Sequence, residues 1–382
     1  MNHSYSWKPT PAQTLLLKAS LFEDSRSIEA WEKWQECASV DELDKGSFRL
    51  LPLLYKNLQR QGVPTPLLNK LKGVYRQTWY ANQIIFHDVF HCLKVFHELE
   101  IPTLLLKGAA LVFFHYKDFG LRPMSDIDVL IPISELARAT DVLQRLGWHS
   151  DSTESVERAL WFKNTWLFHH FSGGKLELHW YAISQSRQRN IDKDFWKRAR
   201  SVDYQDVKTL ATSPSDTLFH VCIHGAKWNE VPPMRWIADA IQIMKTSRVD
   251  WNSIIEEGKK RRLIVALRKT LSFLAEEFHG EIPKDVLHEI SAIHVSKSEL
   301  VLFESIQTEA DFPMKQKGPE LWTKYRKLMS FKGAHLVSLN FFFFLQHWWD
   351  LAHVWNVFFY APIAFGKWVA RKRNKRQIPA SN

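Results

Sequence analysis

The apolar positions of this chain change period twice. Residues 12–100 carry a helical spacing: in "NQIIFHDVFHCLKVFHELE", Ile85, Val89, Leu93 and Phe96 fall on one face. At Ile101 the period shortens. "IPTLLL" is a short apolar run behind a proline and predicts a buried strand. Lys107-Gly108 ends that run, and "AALVFFHY" predicts a helix beginning directly after the glycine. "KDFGLRPM" reads as loop. "SDIDVLIP" alternates, with Ile127, Val129 and Ile131 on one side and Asp126, Asp128 and Leu130 on the other, the period of a strand. "ISELARATDVLQRLGW" predicts a helix capped by Ser134 and stopped by Gly147. Two aromatic runs around Ser172-Gly173-Gly174 predict a hairpin, with Glu177, His179 and Tyr181 on one face of its second strand. From about residue 190 the helical period returns. "SPSDTLFHVCIHGAKW" places Leu218, Cys222 and Ile223 on one stripe, and "PPMRWIADAIQIMK" predicts a helix with proline at its start. Helices continue to about 310.

This pattern predicts an α+β chain: a small mixed sheet with helices, flanked by N- and C-terminal helical regions. The expected boundaries are 1–100, 101–210, 211–330, and a last segment 331–382. With 382 residues, 45% of them hydrophobic, the chain can bury cores and is not disordered. Its net charge of +10 suits a polyanionic partner, whether nucleotide phosphate, nucleic acid or an anionic membrane surface. Cys37, Cys92 and Cys222 are widely spaced with no CxxC pair, which favours a reducing compartment. The polar N-terminus has no signal-like apolar stretch, so the expected location is cytoplasmic.

The chemistry concentrates in "LLLKGAALVFFHYKDFGLRPMSDIDVLIP". Asp126 and Asp128 are two residues apart on a strand and point the same way. Two carboxylates side by side there repel unless a cation lies between them. Oxygen donors of this kind suit Mg²⁺, with Mn²⁺ as the alternative ion. Glu177 can complete a set of three, the arrangement for two-metal attack at phosphorus. A helix after Gly108 offers free N–H groups to phosphates, and Lys107, Arg122 and Ser125 flank the same place.

The series "LKGAAL…GLRPMSDIDVLI…LELHW" resembles the nucleotidyltransferases of the DNA polymerase beta-like superfamily. More narrowly, it resembles the bacterial group called uncharacterised nucleotidyltransferase family proteins, over roughly residues 12–300. The resemblance implies a polymerase beta-like core that transfers a nucleoside monophosphate from an NTP and releases pyrophosphate. It implies Asp126, Asp128 and Glu177 as metal ligands and Gly108 in the phosphate-binding turn. The signature usually has Gly-Ser or Gly-Gly where this chain has Gly108-Ala109. The spacing from Gly108 to Asp126 is longer than in minimal members, and the third acid is Glu rather than Asp.

The acceptor is open: a small molecule, a protein or peptide side chain, or an RNA 3′ end. Two other classes stay beside this reading. One is a non-catalytic nucleotide-binding or membrane-docking module. The other is a glycosyltransferase that binds a nucleotide sugar through a D-x-D motif. His179 is expected beside the acids as a neighbour or substrate contact. His220 and His224 have metal-compatible i, i+4 spacing but no H-E-x-x-H, so they read as core or cleft-lining groups. Arg235 and Asp239, also i, i+4, are expected to pair on a helix, with Asp239 a candidate general base. "HLVSLNFFFFLQHWWDLAHVWNVFFYAPIAFGKWVARKRNKR" is apolar and aromatic before a basic run. It fits core packing, an interfacial membrane anchor, or a span, although residues 351–366 are short for the last and contain Pro362.

Overall fold

A computed structural model of the chain describes residues 7–152, 154–227, 234–306, 320–332 and 338–362. The architecture is α+β, as the pattern predicts. Six strands form one mixed sheet: β1 (Leu104–Leu105), β2 (Ile127–Leu130), β3 (Thr165–His169), β4 (Lys175–His179), β5 (Arg200–Tyr204) and β6 (Val207–Ala211), in the order β3-β4-β2-β1-β6-β5. The pairing of β2 with β4 matters most for the site. It is parallel and sets Asp128 directly opposite Glu177. The β3–β4 hairpin turns at Gly173, whose φ of +106° a side chain would strain.

Before the sheet, a 31-residue helix, Leu68–Glu98, packs against β2, β4 and β6. Its face of Ile85, Val89, Leu93 and Phe96 is buried, as the spacing predicts. After the sheet, Pro214–Gly225 packs against the short helix Lys107–Leu111, with Arg235–Thr246 beside it. Helices then continue to Ile306.

Three local expectations are corrected. The helix expected to start after Gly108, at Ala109, begins two residues earlier, at Lys107, and runs into a π-turn over Val112–Tyr116. Ser134 is not an N-cap: it lies inside a 3₁₀ turn, Ile133–Glu135, and Leu136–Arg145 follows without a side-chain cap. Gly147, however, does stop that helix, at φ +82°. The return to helix at 190 is interrupted by the β5–β6 hairpin, which turns through Gln205 and Asp206 at φ +50° and +64°. The helix at 235 is present, but Pro232 and Pro233 lie outside the described residues.

The backbone divides into two compact units. One comprises Met1–Ser152, Thr165–Ala182 and Asp192–Glu309; the other comprises Thr153–Asn164, Ile183–Ile191 and Ala310–Asn382. In the second, helices Glu320–Lys332 and Ser338–Trp348 bury Tyr325, Leu328, Met329, Phe344, Leu345 and Trp348, together with Val357, in one cluster. Much of the aromatic segment is therefore core. Among the described residues no helix is long and apolar enough to cross a membrane, and residues 363–366 of the stretch weighed as a span lie outside them. The basic run Lys367, Arg371, Lys372, Arg373, Lys375 and Arg376 lies outside the described residues.

Candidate active site

Three chain segments meet in one cleft of the first unit. They supply Lys107 and Gly108 from the β1–helix turn, Arg122, Ser125, Asp126 and Asp128 from the approach to β2, and Glu177 from β4. The cleft thus gathers all seven residues expected from the sequence. Asp128 sits on β2; Asp126 lies one residue before it, half-buried and bonded by the Ser125 hydroxyl at 3.2 Å.

The carboxylates are unequal. Asp128 is 6% exposed, a costly place for a charge. Lys107 Nζ donates to its Oδ1 at 2.6 Å, and His179 Nε2 lies 2.9 Å from the same atom. Burial opposes ionisation of Asp128, but these two cations outweigh it and hold its carboxyl well below the usual range. Asp126 goes the other way. Burial and the charges of Asp128 and Glu177 push its carboxyl up.

His179 is 2% exposed and bridges Asp128 to Glu177, with Nε2 3.0 Å from Glu177 Oε2. Burial lowers its basicity, yet Glu177 and Asp128 raise it to about 9, which keeps the ring protonated at neutral pH. Lys107 Nζ is also 3.7 Å from Glu177 Oε2. Burial would lower the Lys107 ammonium, but Asp128 and Glu177 raise it. Its backbone φ of +36° is a strained value for lysine.

Asp128, Glu177 and His179 each present a ligand atom within 4.8 Å of the others. The two carboxylates are hard donors that suit Mg²⁺ or Mn²⁺, whereas a protonated His179 has no lone pair to offer, and the repulsion that helps to raise Asp126 is what a divalent cation would relieve. His179 lies beside the acids as their hydrogen-bonded neighbour, while Asp126 lines the same cleft outside this group.

Arg122 is 4% exposed and forms a two-pronged pair with Asp239, Nε to Oδ1 and Nη2 to Oδ2, each at 2.9 Å. Tyr116 donates to Asp239 Oδ1 at 2.8 Å. Asp239 is thus committed to Arg122 and not to Arg235, whose Nη1 donates to the Pro123 carbonyl at 2.6 Å. Helical spacing allows an Arg235–Asp239 contact, but the sequence-distant guanidinium wins with two aligned bonds. This corrects the expected Arg235–Asp239 pair, and both Asp239 oxygens are engaged by Arg122 and Tyr116.

The long stretch between Gly108 and Asp126 has a visible task. Asn82, on the 31-residue helix, donates to the carbonyls of Phe119 and Arg122 at 2.6 and 2.8 Å and accepts from Met124 N–H at 3.2 Å. These bonds fix the loop that carries Arg122. Gly108 completes the arrangement: a Cβ there would lie 2.7 Å from Arg122 Nη1 and 2.9 Å from Met124 Sδ. In this structure the glycine makes room for arginine. His224 also lines the cleft, whereas His220 is 4% exposed and buried beside it. Neither joins a metal-compatible cluster among the described residues. Arg49 is a cleft residue that the sequence reading missed. Only its positive charge could have flagged it, since it lies far from every motif.

Over residues 47–279 the chain matches a family model described as uncharacterised nucleotidyltransferase. Among solved structures it is similar to the lincomycin-bound crystal structure of a lincosamide antibiotic adenylyltransferase. That match has 16% identity, covers 42% of this chain and 97% of that one, and has a TM-score of 0.31. No curated protein matches it.

Proposed function

Because the chain belongs to the uncharacterised nucleotidyltransferase family, and is an enzyme of that class, we propose that its cleft catalyses divalent-metal-dependent transfer of an NMP from an NTP. The acceptor is a hydroxyl or amine on a small molecule, a protein or an RNA end. The observation that carries this reading is the register of β2 against β4, which sets Asp128 opposite Glu177 beside Asp126. In the reaction an acceptor oxygen or nitrogen bonds to the α-phosphorus, and the bond to the bridging oxygen breaks to release pyrophosphate. Asp128, Glu177 and Asp126 are the residues to hold Mg²⁺, with His179 beside them. That ion would supply Lewis acidity and screen the triphosphate charge. Lys107 and His179 neutralise Asp128 and keep the carboxylate set oriented. Gly108 keeps the turn narrow enough for Arg122 to stay in the wall.

The test is incubation with each α-³²P-labelled NTP, Mg²⁺ and candidate acceptors. Label should move to an acceptor, with pyrophosphate released, and chelation by EDTA should abolish the transfer. A protein that neither transfers label nor binds any NTP with Mg²⁺ would refute the enzyme reading. Release of a nucleoside diphosphate from a sugar nucleotide would favour the glycosyltransferase.

We propose a second partner, an anionic membrane surface met from the cytoplasm. Trp355, Phe358 and Phe359 are 71%, 54% and 77% exposed, although their segment also helps to bury Val357. The sequence beyond them carries six Lys or Arg between 367 and 376 and no acid after Asp350. Aromatic side chains with a basic cluster supply the two signals that peripheral anchoring needs, each cation near the surface contributing about 1 kcal/mol. The full chain should float with vesicles containing phosphatidylglycerol and not with pure phosphatidylcholine. Binding should fall about tenfold in a Trp355→Ser, Phe359→Ser variant. Equal flotation with both lipids, or none with either, would reject the anchor.

A further inference from the structure

The cleft sets four acids, Asp126, Asp128, Glu177 and Asp239, among its cations, but only part of the positive charge is paired. Four long cationic side chains line it: Arg49, Lys107, Arg122 and Arg235. Two are matched, Lys107 by Asp128 and Arg122 by Asp239. Arg49 and Arg235 have no carboxylate within ion-pair distance among the described residues. The Arg235 guanidinium donates to a single carbonyl, that of Pro123.

The two arginines come from distant parts of the sequence, and the fold ties their segments together. Ser47 is buried with its hydroxyl 3.4 Å from Met234 Sδ, so the stretch bearing Arg49 lies against the residue preceding Arg235. Crowding has an electrostatic cost. Burial and the charge of Arg122 lower the basicity of both, Arg235 to about 10. Asp126 attracts both across the cleft, but it is already shared with the metal-compatible acids. Like charges held together in a half-buried cleft destabilise the empty protein unless an anion joins them.

We propose that Arg49 and Arg235 are a clamp for the β- and γ-phosphates of the bound nucleoside triphosphate and for the pyrophosphate that leaves. The proposal rests on the nucleotidyl-transfer reading above. Each guanidinium presents a planar fork that matches two phosphate oxygens, and neither is tied to a carboxylate by an ion pair among the described residues. The α-phosphate is left to the metal side of the cleft. The arginines then make the enzyme prefer triphosphates over monophosphates. They also explain why residues from before and after the sheet both reach into the site.

The experiment measures binding of inorganic tripolyphosphate and pyrophosphate, with AMP, GMP, CMP and UMP as controls, by calorimetry in Mg²⁺. Arg49→Gln and Arg235→Gln should each weaken tripolyphosphate and pyrophosphate about 10- to 100-fold, the loss expected for one charge-assisted contact. Whichever monophosphate binds should stay within about threefold. Arg49→Lys and Arg235→Lys should recover part of the loss, which guards against misfolded glutamine variants. Unchanged polyphosphate binding in both glutamine variants, while the wild type still transfers label, would overturn the clamp and leave the transfer reading standing. A wild type that binds no polyphosphate and transfers no label would overturn both.

Discussion

Asp126→Asn is expected to lower nucleotide transfer by about 10³-fold while leaving the protein as stable as before, or slightly more so. The two effects are expected to separate because little in the fold depends on the Asp126 charge. It is half-buried, its nearest bond is from Ser125, and burial and its acidic neighbours already push its carboxyl up. Removing that charge relieves repulsion in the free protein. Asp128→Asn should behave differently. Asp128 is the counter-ion of both Lys107 and His179, and its loss leaves two cations in a buried setting. Such a broken pair typically costs about 3–5 kcal/mol, so this variant should lose stability together with activity. Initial rates and urea midpoints on the two proteins test the contrast. Transfer at the wild-type rate by folded Asp126→Asn would remove Asp126 from the catalytic set.

The same contrast shows what the sequence could reveal. Period-two alternation put Asp126 and Asp128 on one face, and the aromatic runs around Ser172-Gly173-Gly174 put Glu177 on a strand. A parallel pairing of β2 with β4 then needed only one register to bring them together. Local period carries that information because each strand repeats it several times. The β5–β6 hairpin was not legible. Its turn uses Gln205 and Asp206 at positive φ, where Asn-Gly would have signalled a tight turn, and its alternating positions include few large apolar residues. Arg49 and the true partner of Asp239 were hidden for another reason. Both depend on contacts between residues far apart in sequence, and i, i+4 spacing pointed to the wrong arginine.

That hidden partnership gives a stability effect as large as that of Asp128. Asp239→Asn is expected to destabilise the protein by about 3–5 kcal/mol, measured as a lowered urea midpoint. Asp239 is 3% exposed and receives three bonds, two from Arg122 and one from Tyr116. An asparagine presents an NH₂ group to one of the guanidinium N–H donors, so one bond becomes donor against donor and the arginine charge is left uncompensated. Tyr116 should remain protonated throughout: burial and Asp239 push its hydroxyl well above the usual range, so it acts only as donor. Arg122→Met should also destabilise, and the double variant Arg122→Met, Asp239→Asn should cost less than the two single losses added, because the second change no longer strands a charge. Gly108→Ala presses on the same pair from outside, since its new Cβ would meet Arg122 Nη1 at 2.7 Å. It should act in the same direction. The folded fraction of Asp239→Asn should keep the pH profile of wild-type transfer, which a lost general base would not allow. A variant that stays as stable as wild type, or one that is folded with a flattened pH profile, would refute this role and restore Asp239 as a proton acceptor.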